Sequence, residues 1–193
     1  MRPKDFEPDA VADAAMQVFW QRGYAATSIQ DLVDGTGLAR SSLYNAFDSK
    51  HGLYRRALQR YQRLTAANID LLAGPGPVKG RIRQLLMRIV DDELGNPRRR
   101  GCLAVNASIE LAGHDDAVAE ITAHNFLRLE NALEAALRQG QQSGEIAARQ
   151  SPRALASFVL CTIQGMRVLG KGSARRTRRQ RLLDIVEVAM QTL

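Results

Sequence analysis

The sequence predicts an all-α protein of about nine helices, and three observations indicate this fold class. The 193-residue chain is 45% apolar but only 5% aromatic, and such leucine- and alanine-rich chains favour helices over sheets. Apolar side chains recur every three or four residues along most of the chain, which is the spacing of amphipathic helices. No segment shows the alternation of apolar and polar residues that is typical of a half-buried strand.

One longer helix and two short ones are predicted before residue 48. The first covers residues 9–22 and ends at Gly23, because glycine readily adopts the left-handed conformation that closes a helix. A hydroxyl in residues 27–28 can cap the second helix, which the glycines of residues 35–37 end. The third helix covers residues 39–47. The side chains expected to face inward are Val11, Ala15, Val18, Phe19, Ile29, Leu32, Val33, Leu43 and Phe47.

The remaining helices follow from residue 50 to the end of the chain. The fourth begins after the capping hydroxyl of Ser49 and runs to about residue 72, before Gly-Pro-Gly-Pro at residues 74–77. Ser151 followed by proline marks another start, because proline is favoured at the first helical position. The other helices are predicted over about residues 78–94, 102–111, 116–142, 152–169 and 178–192.

The sequence also bears on the compartment of the protein. No apolar run approaches the roughly 20 residues that cross a bilayer, and the charged residues 1–5 lack the apolar stretch of a signal peptide. The two cysteines, Cys102 and Cys161, are too few for a disulfide framework. We therefore expect a cytoplasmic protein that does not contact a membrane.

The net charge of +7 is unevenly distributed. Residues 36–63 contain six cationic side chains and a single acid, Asp48. The six are Arg40, Lys50, Arg55, Arg56, Arg60 and Arg63. This basic stripe indicates an acidic partner such as nucleic acid. Two further basic runs, at residues 98–100 and 171–181, are more simply explained as solvated loops.

The second and third helices match the plan of a helix-turn-helix, whose second helix enters the DNA major groove. The exposed side of the third helix is predicted to carry Arg40, Ser41, Ser42, Tyr44 and Asn45. Arginine can bind a guanine edge and asparagine an adenine edge, while Thr27, Ser42, Tyr44 and Lys50 suit phosphate contacts. The spacing alone leaves open a three-helix core fragment with an incidentally polar surface.

Residues 27–50 read T-S-I-Q-D-L-V-D-G-T-G-L-A-R-S-S-L-Y-N-A-F-D-S-K, which resembles the N-terminal signature of TetR-family transcriptional regulators. The matching positions are Thr27, Ile29, Leu32, Gly37, Leu38, Leu43, Tyr44, Phe47, Ser49 and Lys50. The resemblance covers about the first 55 residues; the rest is similar only in helix order and length. It implies a homodimer that represses promoters and releases DNA when it binds a small molecule.

The resemblance implies a DNA-binding domain at residues 1–52 and a ligand-binding and dimerisation domain at 53–193. Its DNA contacts would be Thr27, Arg40, Ser41, Ser42, Tyr44, Asn45 and Lys50. Three departures from the family pattern occur. Ala39 replaces the usual hydroxyl cap, a loss of about 1 kcal/mol, and Ala46 replaces a histidine that binds phosphate in some members. His51-Gly52 replaces two acids, and glycine costs about 1 kcal/mol relative to alanine in a helix.

By resemblance, a ligand pocket lies among the helices of the second domain, and no cofactor or metal is expected. The candidate pocket residues are Cys102, Asn106, His124 and Gln164. The last three are polar groups on apolar inward faces, although each could also be a satisfied buried polar group. Cys102 follows three arginines at a predicted helix N-terminus, where a thiolate is favoured. Its Gly-Cys-Leu context resembles family members that sense electrophiles or oxidants. Cys161 lies in an apolar run and is interpreted as core.

The last two helices carry apolar faces that the resemblance pairs with the same helices of a second subunit. The residues predicted at this interface are Leu155, Phe158, Val159, Thr162, Met166, Leu182, Ile185, Val186 and Ala189. Two-fold symmetry then implies a near-palindromic operator. The simpler alternative is that these faces pack within one chain.

The sequence disfavours two other functional classes relative to a ligand-responsive repressor. An enzyme is disfavoured because His51, His114 and His124 are the only histidines and none forms an HExxH pair. An architectural DNA binder would show little sequence preference and no response to a small molecule. The sequence favours the repressor, with thiol sensing through Cys102 as a variant of it.

Overall fold

The computed structural model describes residues 6–193, and these residues form ten α-helices and no strand. The all-α prediction is therefore confirmed, while the features predicted for residues 1–5 lie outside the described residues. The helices are α1 (Pro8–Arg22), α2 (Ile29–Thr36), α3 (Arg40–Phe47), α4 (Lys50–Leu64), α5 (Ala66–Ala73), α6 (Val78–Gly95), α7 (Leu103–Leu111), α8 (Asp116–Gln142), α9 (Pro152–Gly172) and α10 (Arg175–Gln191).

The tenth helix arises because the fourth predicted helix breaks at Thr65. The sequence predicts one helix from residue 50 to about 72, whereas the structure has α4 and α5. At the break, the carbonyl of Thr65 accepts from the Asn68 N–H at 3.1 Å, the first bond of a new helix. The Thr65 hydroxyl lies 3.4 Å from Oδ1 of Asn125 on α8. The helical spacing of apolar residues could not predict this contact, because Asn125 is distant from Thr65 in the sequence.

The chain divides into two compact units whose boundaries interrupt the sequence. Unit 1 contains the chain up to Leu64 together with Leu103–Ala123. Unit 2 contains Thr65–Cys102 together with His124–Leu193. The functional division at residue 52 stays a prediction.

Unit 1 has an aromatic core that joins α1 to α4. Phe19 packs edge-on against Tyr54, with ring centroids 4.8 Å apart, and Trp20 packs edge-on against Tyr61 at 4.9 Å. All four side chains are buried. Of the side chains expected to face inward, Val11, Ala15, Phe19, Leu32, Leu43 and Phe47 are buried, while Val18, Ile29 and Val33 are half-buried. The apolar spacing therefore predicted the inner faces of α1, α2 and α3.

Unit 2 is built around α6, α9 and α10. Its apolar core includes Leu85 and Ile89 from α6 together with Val159, Met166 and Val186. Because α9 and α10 contribute side chains to this core, much of the face that the sequence assigns to a second subunit is buried within one chain. Across residues 6–193, no helix is both long and apolar enough to cross a membrane.

Candidate nucleic-acid interface

The short helix α3 is held in place by its two apolar residues and by the turn before it. Leu43 and Phe47 are buried, one helical turn apart. The preceding turn depends on Gly37, whose φ of 70° is in the left-handed region that favours glycine. Its N–H donates to the Val33 carbonyl at 2.9 Å and closes α2. The buried pair and the turn together fix which side of α3 faces outward.

The start of α2 is fixed by reciprocal bonds between Ser28 and Asp31. The Asp31 N–H donates to the Ser28 hydroxyl oxygen at 3.1 Å, and the Ser28 N–H donates to the Asp31 carboxylate at 2.8 Å. This is a capping box with aspartate at its third position. The hydrogen bond from the Ser28 N–H is the main cause that lowers the pKa of Asp31 below its usual value. The carboxylate is thus the form that stabilises the start of α2.

The outward side of α3 carries the polar residues that the sequence assigns to it. Arg40, Ser41, Tyr44 and Asn45 are exposed, and Ser42 is half-buried. The Arg40 guanidinium carbon lies 5.8 Å from the centroid of the Tyr44 ring, within the range of a cation–π contact. These five residues therefore form one polar face, which we call the α3 face.

The start of α3 has no side-chain cap, as Ala39 predicts. Ala39 occupies the N-cap position without a hydrogen bond from its side chain. The first N–H groups of a helix lack partners within it, and together they form a site that favours anions. At this position a DNA phosphate could replace the missing hydroxyl.

Lys50 lies beside the α3 face at the start of α4. Its Nζ is 4.4 Å from the centroid of the Tyr24 ring, and the side chain is half-buried. Among the described residues Lys50 forms no ion pair, and neither do Arg40 and Arg55. The positive charge of these three side chains is therefore available to a partner.

The structure corrects the sequence-based assignment of Thr27. Its side chain is 1% exposed, and its hydroxyl donates to the Gly23 carbonyl at 2.5 Å. The adjacent Ser28 is the residue that caps α2. From the sequence alone, either hydroxyl could cap α2. The Thr27 hydroxyl faces inward, so it cannot also bind a phosphate.

Fewer cations of the basic stripe at residues 36–63 are available to a partner than the sequence indicates. Arg60 donates to Asp9 at 2.8 Å and to Asp13 at 2.7 Å, and Arg63 donates to Asp9 at 3.2 Å. Arg56 also pairs with Asp9 and, as the largest cause, lowers the pKa of that carboxyl. Half of the six cations thus hold α1 against α4, because acids distant in sequence lie opposite them.

A carboxylate from α7 supports the turn between α1 and α2. Oxygens of Glu110 accept from the N–H groups of Tyr24 at 2.9 Å and Ala25 at 2.6 Å.

At the other end of the helix-turn-helix, Nε2 of His51 lies 2.7 Å from the carboxylate of Asp115. The hydrogen bond from the Val118 N–H, followed by that of His51, lowers the pKa of Asp115. No sequence signal marks either long-range contact.

The four candidate pocket residues lie in different environments. Cys102 is buried and immediately precedes α7, while Asn106 is half-buried. Gln164 is half-buried, and its Oε1 is fully buried without a hydrogen-bond partner among the described residues. His124 is exposed, so its predicted inward position is wrong.

The rotation between successive helix residues explains the error at His124 and a second error at Cys161. His124 follows the buried Thr122 by two residues, which is a rotation of about 200° around α8. Cys161 likewise lies two residues from both Val159 and Ile163, which are buried, and it is exposed. The prediction that Cys161 belongs to the core is therefore wrong. Within residues 6–193, no group of three or more His, Cys, Asp or Glu side chains could hold a metal ion.

Most residues predicted at a dimer interface are buried in the core of unit 2. These buried residues are Leu155, Val159, Met166, Leu182, Val186 and Ala189. Phe158 remains 42% exposed, Thr162 and Ile185 are half-buried, and Val188, which the sequence prediction omitted, is 60% exposed. These side chains line an open apolar groove of about 270 Å³ between α9 and α10. The surface available to a partner is thus displaced from the predicted one.

Comparisons with known proteins agree with this arrangement of helices. Residues 11–57 match the family model of bacterial regulatory proteins of the tetR family, and residues 78–186 match the tetracyclin repressor-like C-terminal domain. The chain belongs to the TetR family. It is therefore a DNA-binding transcriptional regulator, and the α3 face lies inside the TetR N-terminal match.

Individual TetR-family proteins align with almost the whole chain. The HTH-type transcriptional repressor ComR of Escherichia coli K12 is 34% identical over 90% of this chain and 83% of its own length. The HTH-type transcriptional regulator YezE of Bacillus subtilis 168 is 30% identical over 100% of this chain and 98% of its own. A solved structure of the TetR-family regulator CifR, a cysteine mutant with 26-bp operator DNA, has a TM-score of 0.84, 31% identity and 98% coverage of both chains.

Proposed function

We propose that this TetR-family protein is a repressor that binds a near-palindromic operator as a homodimer and releases it when a small molecule binds. The observation that carries the proposal is the α3 face, a cluster of exposed polar residues on a helix fixed by the buried Leu43 and Phe47. The names of ComR, a repressor, and of CifR with operator DNA support the same activity.

The residues of the α3 face suit different parts of a DNA duplex. Arg40 and Asn45 are exposed, and their groups match guanine and adenine edges in the major groove. Ser41, Ser42 and Tyr44 can donate hydroxyl groups to phosphates, and Lys50 adds an ammonium group. Base contacts would therefore set the sequence preference, whereas phosphate contacts would set the register.

Dimerisation would use the groove between α9 and α10. Phe158 and Val188 expose apolar side chains there, and Ile185 also lines the groove. Covering such a patch with its symmetry mate removes apolar surface from water. In the dimer, two α3 faces would read two half-sites of one operator.

The effector would bind the helical unit that contains α9. Gln164 supports this part of the proposal because its buried Oε1 accepts no hydrogen bond from the described residues. An unsatisfied buried acceptor is costly, and a ligand with an N–H or O–H group would satisfy it. The effector must bind the conformation that releases DNA more tightly than the one that holds it, and this difference sets the size of the response.

Thiol sensing through Cys102 is a second candidate. The observation that favours it is the position of Cys102 directly before the first residue of α7 and after the basic run at residues 98–100. The side chain is 7% exposed, so the reactant must be small or must enter when the chain opens locally.

The experiment begins by selecting duplexes from a randomised pool with the wild-type protein. We expect a two-fold symmetric site; selection without a preferred sequence would instead indicate an architectural binder. Arg40→Ala should relax the preference at one base pair in each half-site by about 1–3 kcal/mol. Lys50→Ala should weaken all sequences about equally and reduce the salt dependence.

The matched control is Arg149→Ala, which removes an exposed arginine that lies outside the α3 face. It should leave the selected sequence and its affinity unchanged. If Arg40→Ala and Arg149→Ala have the same effect, the α3 face is not the surface that reads the bases.

A further inference from the structure

A second polar site lies in unit 2. It is an open cavity of about 440 Å³ between the end of α6 and the start of α10. It is lined by residues 94–97 and by three arginines, Arg99, Arg175 and Arg178. We call it the arginine cavity. The two basic runs that the sequence explained only as solvated loops meet here.

The charge of the arginine cavity is not balanced by the acids around it. Glu93 is the buried counter-ion of Arg178 and also pairs with Arg167 at 3.2 Å, while Arg167 pairs in addition with Asp92 at 3.0 Å, so the charges of these four side chains balance one another. None of the residues that line the cavity is acidic. Among the described residues, Arg99 and Arg175 form no ion pair. The cavity therefore presents an excess of positive charge.

Arg178 adds an unsatisfied donor to this excess. Its side chain is 7% exposed, one terminal nitrogen donates to Glu93 at 3.3 Å, and its Nε has no hydrogen-bond partner among the described residues. Burying a charged donor without an acceptor is expensive. Because Arg178 lines the cavity, an anion bound there would offset this cost by attraction to the guanidinium.

The start of α10 points to the same kind of ligand. Ala174 is the N-cap and provides no side-chain hydrogen bond, and the first turn contains no acid. Instead it contains Arg175 and Arg176, although the positive end of a helix dipole favours negative charge. Uncapped N–H groups beside guanidinium groups form an anion site of the kind that binds phosphate.

We propose that the arginine cavity binds the phosphate group of a small phosphorylated molecule. Guanidinium groups match the geometry of phosphate oxygens, and several of them together favour a dianion over a carboxylate. The volume exceeds that of a single phosphate, and Leu94 and Pro97 provide an apolar wall for the rest of the ligand. This site is separate from the operator site and does not depend on it.

The test is isothermal titration calorimetry of the full chain with inorganic pyrophosphate, with sodium chloride at equal ionic strength as the blank. We expect saturable binding to the wild type. The double variant Arg99→Gln/Arg175→Gln should bind about tenfold more weakly or worse, because charge-assisted bonds to phosphate are lost. Both side chains lie outside the buried Glu93 cluster, so the variant should fold, which an unchanged thermal melt without ligand would establish.

The matched control is Arg176→Gln/Arg179→Gln, which removes two charges from exposed residues of the same helix that do not line the cavity. It should bind pyrophosphate like the wild type, within about twofold. Equal weakening in both double variants would overturn the proposal, because general charge attraction would then explain the binding. The absence of saturable binding to the wild type would also overturn it.

Duplex DNA is another source of phosphate, and a second arm separates it from a small molecule. Arg99→Gln/Arg175→Gln should bind a random-sequence duplex as tightly as the wild type, and pyrophosphate should not displace that duplex beyond its effect on ionic strength. Loss of duplex binding in this variant would overturn the small-molecule assignment. Arg40→Ala should bind pyrophosphate normally, so a failure of the operator proposal would be distinguishable from a failure of this one.

Discussion

At Gly52 the structure gives the glycine a role that the sequence alone does not indicate. From the sequence, glycine near the start of α4 costs about 1 kcal/mol relative to alanine. In the structure, a Cβ at this position would overlap the carbonyl oxygen of Phe47, the last residue of α3. Backbone cannot move aside as a flexible side chain can, so glycine permits the close turn between α3 and α4.

We therefore predict that Gly52→Ala destabilises the protein. The clash should cost about 1–3 kcal/mol and exceed the gain in helix propensity. The control is Gly165→Ala on α9, where a Cβ would contact nothing within 4 Å; it should stabilise by up to about 1 kcal/mol. Urea unfolding of both variants measures the difference, and equal midpoints would contradict the prediction.

Residue-scale predictions from the sequence succeeded where one local pattern determined the outcome. The exposed residues of α3 follow from the four-residue spacing of Leu43 and Phe47. They failed where two adjacent residues could serve the same purpose, as with Thr27 and Ser28. They also failed where the pattern was apolar on every side, as around Cys161. In those places the neighbouring helices decide which side is buried.

At the scale of elements, a contact from α7 supports the turn between α1 and α2. Glu110 lies 85 residues from Ala25 and accepts its N–H, together with that of Tyr24. These two N–H groups lie in the connection that sets the direction of α2. A single carboxylate on α7 thus stabilises the entry to the helix-turn-helix, and sequence spacing could not reveal it.

We predict that Glu110→Gln loosens this turn. A neutral amide replaces the charged acceptor, and hydrogen bonds to charged groups contribute about 1.5–3 kcal/mol. Hydrogen exchange at the Tyr24 and Ala25 amides should therefore become faster, and operator affinity should fall. The control is Glu120→Gln on α8, which changes the same group at an exposed position. Unchanged exchange at these two amides in Glu110→Gln would show that the carboxylate does not hold the turn.

At the scale of the whole molecule, the sequence predicted the fold class and most helices, but not the long-range pairing of helices. The apolar stripes of α9 and α10 were predicted to face a second subunit, whereas part of each packs against α6 of the same chain. Periodicity shows that a face is apolar but does not show whether its own chain or a second chain covers it. The exposed groove at Phe158 and Val188 is what remains for a second subunit.

The final prediction tests this groove as the dimer interface. Val188→Asp places a charge on its most exposed apolar residue, and burying that charge without a partner should weaken the dimer by about 100-fold or more. Analytical ultracentrifugation should show a dimer for the wild type and a monomer for Val188→Asp. Arg179→Glu changes an exposed residue of α10 outside the groove and should stay dimeric. Cys161, exposed on α9, gives a second readout: a maleimide should label it more slowly in the wild-type dimer than in the Val188→Asp monomer. A wild type that sediments as a monomer, or a Val188→Asp variant that remains dimeric, would exclude this groove as the interface.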